Sequence, residues 1–172
     1  MSEAFRGELT QKVDAKARVS IPAAFRRVLE AGDPDSSRKR IVIVYGDARR
    51  AYAECYSITQ AQKLEEKIRQ LPLGSRERRM LERNIVTLSV TLEIDDDGRI
   101  VLPPKVREKI GLSADDLTKG GEAVLAGALD TFQIWKRDTY DSEILRAAEA
   151  DLADLPDDVD ILSLLGGGVP GV

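Results

Sequence analysis

The sequence predicts a mainly β fold with peripheral helices, an α+β class, in which two internal repeats build one pseudo-twofold β-barrel. A phrase that occurs twice leads there first: Asp14-Ala-Lys-Ala-Arg18-Val-Ser-Ile-Pro22-Ala-Ala-Phe-Arg26 returns 81 positions later (14 to 95), without a gap, as Asp95-Asp-Asp-Gly-Arg99-Ile-Val-Leu-Pro103-Pro-Lys-Val-Arg107. The order of residue types in each copy is the second observation. An acidic residue followed by small or flexible ones suits a tight turn, the next run suits a strand, and proline suits a helix entry. The third is that neither copy carries enough apolar surface to stand alone, so the two units pack against each other. Strands are expected to supply most of the core, which favours a small closed or nearly closed barrel over a sandwich, while a count of about seven short strands fits either.

The elements follow in chain order. Leu9 to Val13 and Ala17 to Ile21 alternate as a strand pair around the Asp14 turn. Pro22 opens a helix over Ala23 to Ala31, with Phe25, Val28 and Leu29 on its apolar face, Arg26 and Arg27 in solvent, and Gly32 as its stop. Phe25 is expected to anchor the core. Ile41 to Tyr45 and Ala51 to Ile58 read as strands joined by the Gly46 to Arg50 loop, and Glu122 to Gly127 and Thr131 to Trp135 take the same roles in the second copy. Thr59-x-x-Gln62 reads as a capping box for a helix with Leu64, Ile68 and Leu71 on one stripe. After Gly74 a linker helix starts at Ser75, with Leu81, Ile85 and Leu88 inward and Arg76, Arg78, Arg79 and Arg83 outward. That basic run is either a solvated face or a contact with nucleic acid or another subunit.

In the second half, Val90 to Ile94 and Arg99 to Leu102 flank the Asp95 to Gly98 turn, and Pro104 to Ile110 forms a short helix ended by Gly111. Gly98 takes a left-handed backbone more readily than Ala17, its counterpart. Asp138 can cap a helix carrying Ile144, Leu145 and Leu152, and Pro156 breaks it. The end, Ile161 to Val172, reads as a frayed terminus or a subunit contact. The chain thus divides into a first repeat over 8–57, linker helices over 58–88, a second repeat over 89–135, and a C-terminal helix with an acidic tail over 136–172.

Composition narrows the chemistry. There is no histidine, which removes most metal and acid–base designs at neutral pH, so no metal, cofactor or small-molecule substrate is expected and an enzyme is disfavoured. The single cysteine, Cys55, sits in an alternating stretch and reads as a buried small residue of a cytosolic protein. The N-terminus does not read as a signal peptide, and nowhere do about 18 apolar residues run together, so no membrane partner is expected. Net charge is −4. Its distribution is uneven: Asp138 to Asp160 holds nine acids and one base, so the repeat-bearing body is mildly basic.

The one polar cluster that repeats is the pair of turns, Asp14, Lys16 and Arg18 with Asp95 and Arg99. A carboxylate four residues before an arginine can hold the planar guanidinium in one pose, where it addresses phosphate or the O6 and N7 edge of guanine. The alternative is that Asp caps its own turn and Arg pairs with it for fold reasons alone. Two such turns near one another suit a polynucleotide, which presents repeated phosphates.

Phe5-Arg-Gly7, the Asp-x-x-x-Arg phrase at Asp14 to Arg18 and again at Asp95 to Arg99, Pro22, Pro103 and Trp135 together resemble the MraZ family of bacterial transcriptional regulators, from about Phe5 to Tyr140. The resemblance implies that each half is an AbrB-like (SpoVT-AbrB) swapped-hairpin unit and that both close one double-psi-like barrel. It implies a cytoplasmic, nucleoid-associated homo-oligomeric ring that binds double-stranded DNA carrying short direct repeats. It also implies repression of the chain's own promoter and of the division and cell-wall gene cluster behind it. Carried over residue by residue, it gives DNA-binding roles to Asp14, Lys16, Arg18, Asp95 and Arg99. The family's lysine is Asp97 in the second copy, and its glycine before arginine is Ala17 in the first. Two other readings stand beside it: a non-catalytic oligomeric protein-interaction or structural module, and a histidine-independent enzyme.

Overall fold

The computed structural model describes residues 3–166. Eight strands form: β1 (Glu8–Lys12), β2 (Arg18–Ser20), β3 (Arg40–Val44), β4 (Ala53–Tyr56), β5 (Ser89–Glu93), β6 (Arg99–Val101), β7 (Glu122–Ala128) and β8 (Thr131–Lys136). Helices α1 (Ala23–Ala31), α2 (Ile58–Arg69), α3 (Arg76–Leu81), α4 (Pro104–Ile110), α5 (Ala114–Thr118) and α6 (Arg137–Ala153) lie between or after them. Strands β1-β7-β8-β4-β3-β5 make one antiparallel sheet, and β2 and β6 make a separate two-stranded ribbon.

The repeat is visible in the pairing register. Val19, at the centre of β2, pairs with Ile100, its counterpart 81 positions on, with Arg18 opposite Val101 and Ser20 opposite Arg99. Swapping the halves reproduces the same ladder. Strands β4 and β8 behave alike around Glu54 and Gln133, with Ala53 opposite Ile134 and Cys55 opposite Phe132. Bonds outside the ladders repeat too: the Ile21 amide donates to Gly98 O at 2.9 Å, and Leu102 to Ala17 O at 2.8 Å.

The expected closed barrel is not formed among the described residues. Strands β1 and β5 are the two edges of the large sheet and do not pair with each other. At each edge the chain leaves the sheet through the Asp14 or Asp95 turn, whose own hydrogen bonds redirect it into the ribbon. Among the described residues one isolated bridge, Val13–Val19, pairs the ribbon with the chain just beyond β1.

Alternation along these strands sends one face of each into a single core. Phe5, Phe25 and Phe132 meet inside it, with ring centroids 4.9 to 5.3 Å apart. Leu29 of α1 and Val106 and Ile110 of α4 join them, as do Ile41, Ile43, Cys55, Leu125 and Ile134 from the sheet. Phe25 is the anchor the sequence predicts, at 1% exposed.

Two helical expectations need correction. The cap of α2 is Ser57, which accepts from the Gln60 amide, while Thr59 Oγ1 donates to Gly32 O at 2.8 Å. The linker helix is α3 followed by a π-helical stretch, Glu82–Thr87, and its faces differ from the expected ones. Leu81 is exposed, whereas the Arg78 side chain is 17% exposed and donates through Nη1 to Leu71 O and Arg69 O. Two carbonyls at the C-terminal end of α2 and just beyond it thus accept from this arginine, where a helix leaves carbonyls without intrahelical partners.

Residues 138–166 form a second unit. The helix ends at Ala153, before Pro156, and a 3₁₀ turn covers Ile161–Gly166. Ile144, Leu145 and Leu152 are exposed on it, so their helical spacing marks no buried stripe. Residues 167–172 of the expected terminal contact lie outside the described residues.

Candidate nucleic-acid interface

The two repeated turns share one backbone conformation. In the first, the Ala17 amide donates to Asp14 O at 2.9 Å and the Asp14 amide to Arg18 O at 3.1 Å; in the second, Gly98 donates to Asp95 O and Asp95 to Arg99 O, both at 2.9 Å. Gly98 has φ +76°, and Ala17 adopts φ +63° despite its Cβ. With alanine where the second turn has glycine, the first turn keeps the same hydrogen bonds and left-handed residue, at the strain cost of one left-handed alanine.

Each aspartate caps its own turn. Asp14 Oδ1 accepts from the Lys16 and Arg18 amides, both at 2.9 Å, and Asp95 Oδ1 accepts from Asp97 and Arg99 at the same distance. The amide of Arg18 is the main influence holding the Asp14 carboxyl below its ordinary range, with the Arg18 guanidinium adding to it; the Arg99 amide does the same for Asp95. Both carboxylates therefore stay charged at neutral pH.

The arginines differ in how they are held. Arg18 Nε donates to Asp14 Oδ2 at 2.6 Å, which fixes the fork, and among the described residues both terminal nitrogens are left without a hydrogen-bond partner. Arg99 Nε lies 3.8 Å from Asp95 Oδ2, beyond hydrogen bonding, and Arg99 Nη2 instead donates to Asp97 Oδ2 at 3.1 Å. The cause is local: Asp97 stands where the first turn has Lys16.

Strands β2 and β6 bring these turns together. Val19 and Ile100 point into the core and are fully buried, so alternation places Arg18, Ser20, Arg99 and Val101 on the opposite, outer face. Arg18 and Arg99 are diagonal neighbours there, roughly 7–8 Å apart between Cα atoms. Their side chains are 34% and 31% exposed. Thus the ribbon carries two oriented guanidinium groups on one surface, with Lys16 beside the first.

Arg26 is placed differently from the expectation that it stays in solvent. It is half-buried, its Nε is enclosed without a partner, and its guanidinium lies where a Cβ on Gly98 would be, at 2.7 Å. Its place in the repeated phrase, four residues after proline, was the available signal. Helix spacing alone cannot show that a side chain reaches the turn of the other half.

For other chemistry the described residues offer less. No group of three His, Cys, Asp or Glu residues among them converges to hold a metal ion. Complete burial pushes the Cys55 thiol well above its ordinary pKa, which keeps it protonated and unreactive. No helix among the described residues is long and apolar enough to cross a membrane.

Comparison with known proteins finds relatives of this chain. A family model described as "MraZ protein, putative antitoxin-like" matches residues 86–159. The chain is 59% identical over 167 residues to the transcriptional regulator MraZ of Cereibacter sphaeroides, covering 96% of this chain and 97% of that one. It is 49% identical over 170 residues to the transcriptional regulator MraZ of Ruegeria pomeroyi, covering 97% and 98%. A more distant relative of the same name, from Azotobacter vinelandii, is 35% identical over 149 residues, 87% of this chain and 88% of its own. The likeness to these relatives covers both halves.

Proposed function

The chain belongs to the MraZ family, and on that premise we propose that it is a sequence-specific double-stranded DNA-binding repressor whose β2–β6 ribbon enters the major groove. Its relatives are named as transcriptional regulators, and the chain is not an enzyme. The observation that carries the reading is the outer face of the ribbon, where Arg18 and Arg99 stand together on a rigid support. A two-stranded ribbon is one of the few elements that fit the major groove, where an arginine fork can read guanine.

Division of labour follows from the hydrogen bonds. Arg18, held through Nε alone, presents both terminal nitrogens and reads a base; Arg99, with Nη2 on Asp97, contributes the weaker contact. Asp14 and Asp95 orient the two arginines by fixing the turns, and Lys16 meets a phosphate as a mobile point charge. The exchange-symmetric ladders support an AbrB-like swapped relation between the halves.

The targets are short direct repeats in the chain's own promoter, ahead of the division and cell-wall genes. A ring of several subunits meets them, because one mildly basic body makes few phosphate contacts. A solution mass matching the 18.9 kDa single chain at working concentration would exclude the ring. The acidic segment after Asp138 makes no DNA contact in this reading.

The deciding experiment titrates an Arg18→Ala, Arg99→Ala double variant against a direct-repeat promoter fragment and a scrambled one. Loss of preference for the direct-repeat fragment is expected, and Arg18→Ala alone should cost about 1–3 kcal/mol per contact at one base position. Parental affinity in a folded, assembled double variant would remove these residues from the site.

A further inference from the structure

Arg26 is supplied by the first half of the chain to the turn of the second. The Ile21 amide donates to Gly98 O at 2.9 Å, which sets the start of α1 on the Asp95 turn one residue before Pro22. From the first turn of α1 the Arg26 side chain then lies along Gly98. A Cβ built there would stand 2.7 Å from its Nη1, 2.9 Å from Cζ and 3.0 Å from Cδ. Glycine at 98 therefore does two things: it allows the left-handed backbone, and it vacates the space this guanidinium fills.

The group is charged and uncommitted. Among the described residues no carboxylate lies within ion-pair reach of Arg26, although Arg27 beside it faces Glu3 at 3.5 Å. The aspartates of the neighbouring turn do not bind it either; the hydrogen bonds of Asp95 go to turn amides and that of Asp97 to Arg99. Nε of Arg26 is enclosed without a partner, and among the described residues neither Nη1 nor Nη2 has a hydrogen-bond partner. Holding an arginine half-buried without a carboxylate costs side-chain entropy and desolvation, with no ion pair to offset them.

The turn it reaches is the one short of positive charge. Where the first turn has Lys16, the second has Asp97, and Asp97 also engages one terminal nitrogen of Arg99. We propose that Arg26 is a phosphate-contacting residue of the second turn, restoring across the repeat boundary the cation that the turn's own sequence lacks. Its counterpart Arg107 also has an enclosed Nε without a partner. The proposal rests on the DNA-binding reading and extends it to a residue outside both Asp-x-x-x-Arg motifs.

The test compares Arg26→Gln with Arg27→Gln, which removes the same charge from the next residue. Each is titrated against the direct-repeat and scrambled fragments from 50 to 200 mM salt, with circular dichroism and light scattering as checks on fold and assembly. Each phosphate contact contributes about −0.9 to the log–log salt slope, so its loss shrinks the affinity drop across this fourfold range by about 3.5-fold. Arg26→Gln should show that change on both fragments alike, and Arg27→Gln should not. Arg26→Lys keeps the charge and should recover most of the slope; it also serves if the glutamine variant does not fold.

Weaker binding by Arg26→Gln with an unchanged salt slope would make Arg26 a support for the turn only, and overturn the proposal. So would equal slopes for the Arg26 and Arg27 variants. If the parent protein itself fails to prefer the direct-repeat fragment but keeps a salt-dependent affinity that Arg26→Gln reduces, sequence reading fails and this contact stands. If the parent binds no DNA, both fall.

Discussion

Truncating Phe25 tests the core on which the ribbon rests. Phe→Ala in a packed interior costs about 3–5 kcal/mol, the spread reflecting how far the surroundings collapse into the cavity. Here they have little freedom. Phe5, 5.3 Å from Phe25, is pinned by a reciprocal pair of backbone bonds with Leu129 at 2.8 and 3.1 Å. Its backbone also packs flush on Gly127, where a Cβ would stand 2.4 Å from the Phe5 carbonyl carbon. Phe132, at 4.9 Å, belongs to β8, which is paired on both sides by β7 and β4. Neither ring can follow the missing one, so Phe25→Ala should lose about 4 kcal/mol, in the middle of that range or above. At roughly 2–4 °C per kcal/mol for a chain of this size, the Tm should fall by about 8–16 °C. Urea unfolding followed by circular dichroism, at one fixed protein concentration to hold any assembly constant, reads it directly. Phe25→Leu, which leaves a smaller cavity, should cost less than the alanine variant. A loss below about 1.5 kcal/mol for the alanine variant, with an unchanged m-value, would refute the rigid three-ring core.

Two further perturbations follow. Asp97→Asn removes a negative charge from the second turn and weakens the hold on Arg99 Nη2, so it should tighten DNA binding and steepen the salt dependence; unchanged or weaker binding in a gel-shift titration would count against the division of labour between the arginines. Asp33 is 2% exposed and accepts Nε and Nη2 of Arg40 at 3.0 and 2.8 Å, and the Arg40 guanidinium is the main influence lowering its pKa. A lowered folded pKa gives stability that is present above the unfolded value of about 3.9 and is lost as pH falls through the folded one. Asp33→Asn should therefore be less stable than the parent at pH 7, and the gap should narrow as pH falls below about 4. A gap independent of pH would show that the ion pair is not its source.

The repeat, and with it most of the secondary structure, was legible in the residues alone. Turn, strand and proline-led helix depend on local preferences of a few residues, and both copies obey them. The same phrase singled out Asp14, Arg18, Asp95 and Arg99, because a carboxylate that caps its own turn needs only neighbours within four positions. Arg18 and Arg99 differ already on that scale, because Asp97 stands where the first turn has Lys16 and takes a nitrogen from one, while Asp14 holds the other at Nε. Tertiary structure placed both on one outer face, since the pairing of β2 with β6 joins residues 81 positions apart and no local preference sets such a register. Barrel closure failed as an expectation for a related reason: strand count says nothing about which edges meet, and the two turns lead the chain off the sheet before β1 and β5 can pair. Arg26 is the sharpest case. Its helix position made it a solvent residue on paper, and only the approach of α1 to Gly98, in the other half of the chain, brought its charge to the second turn.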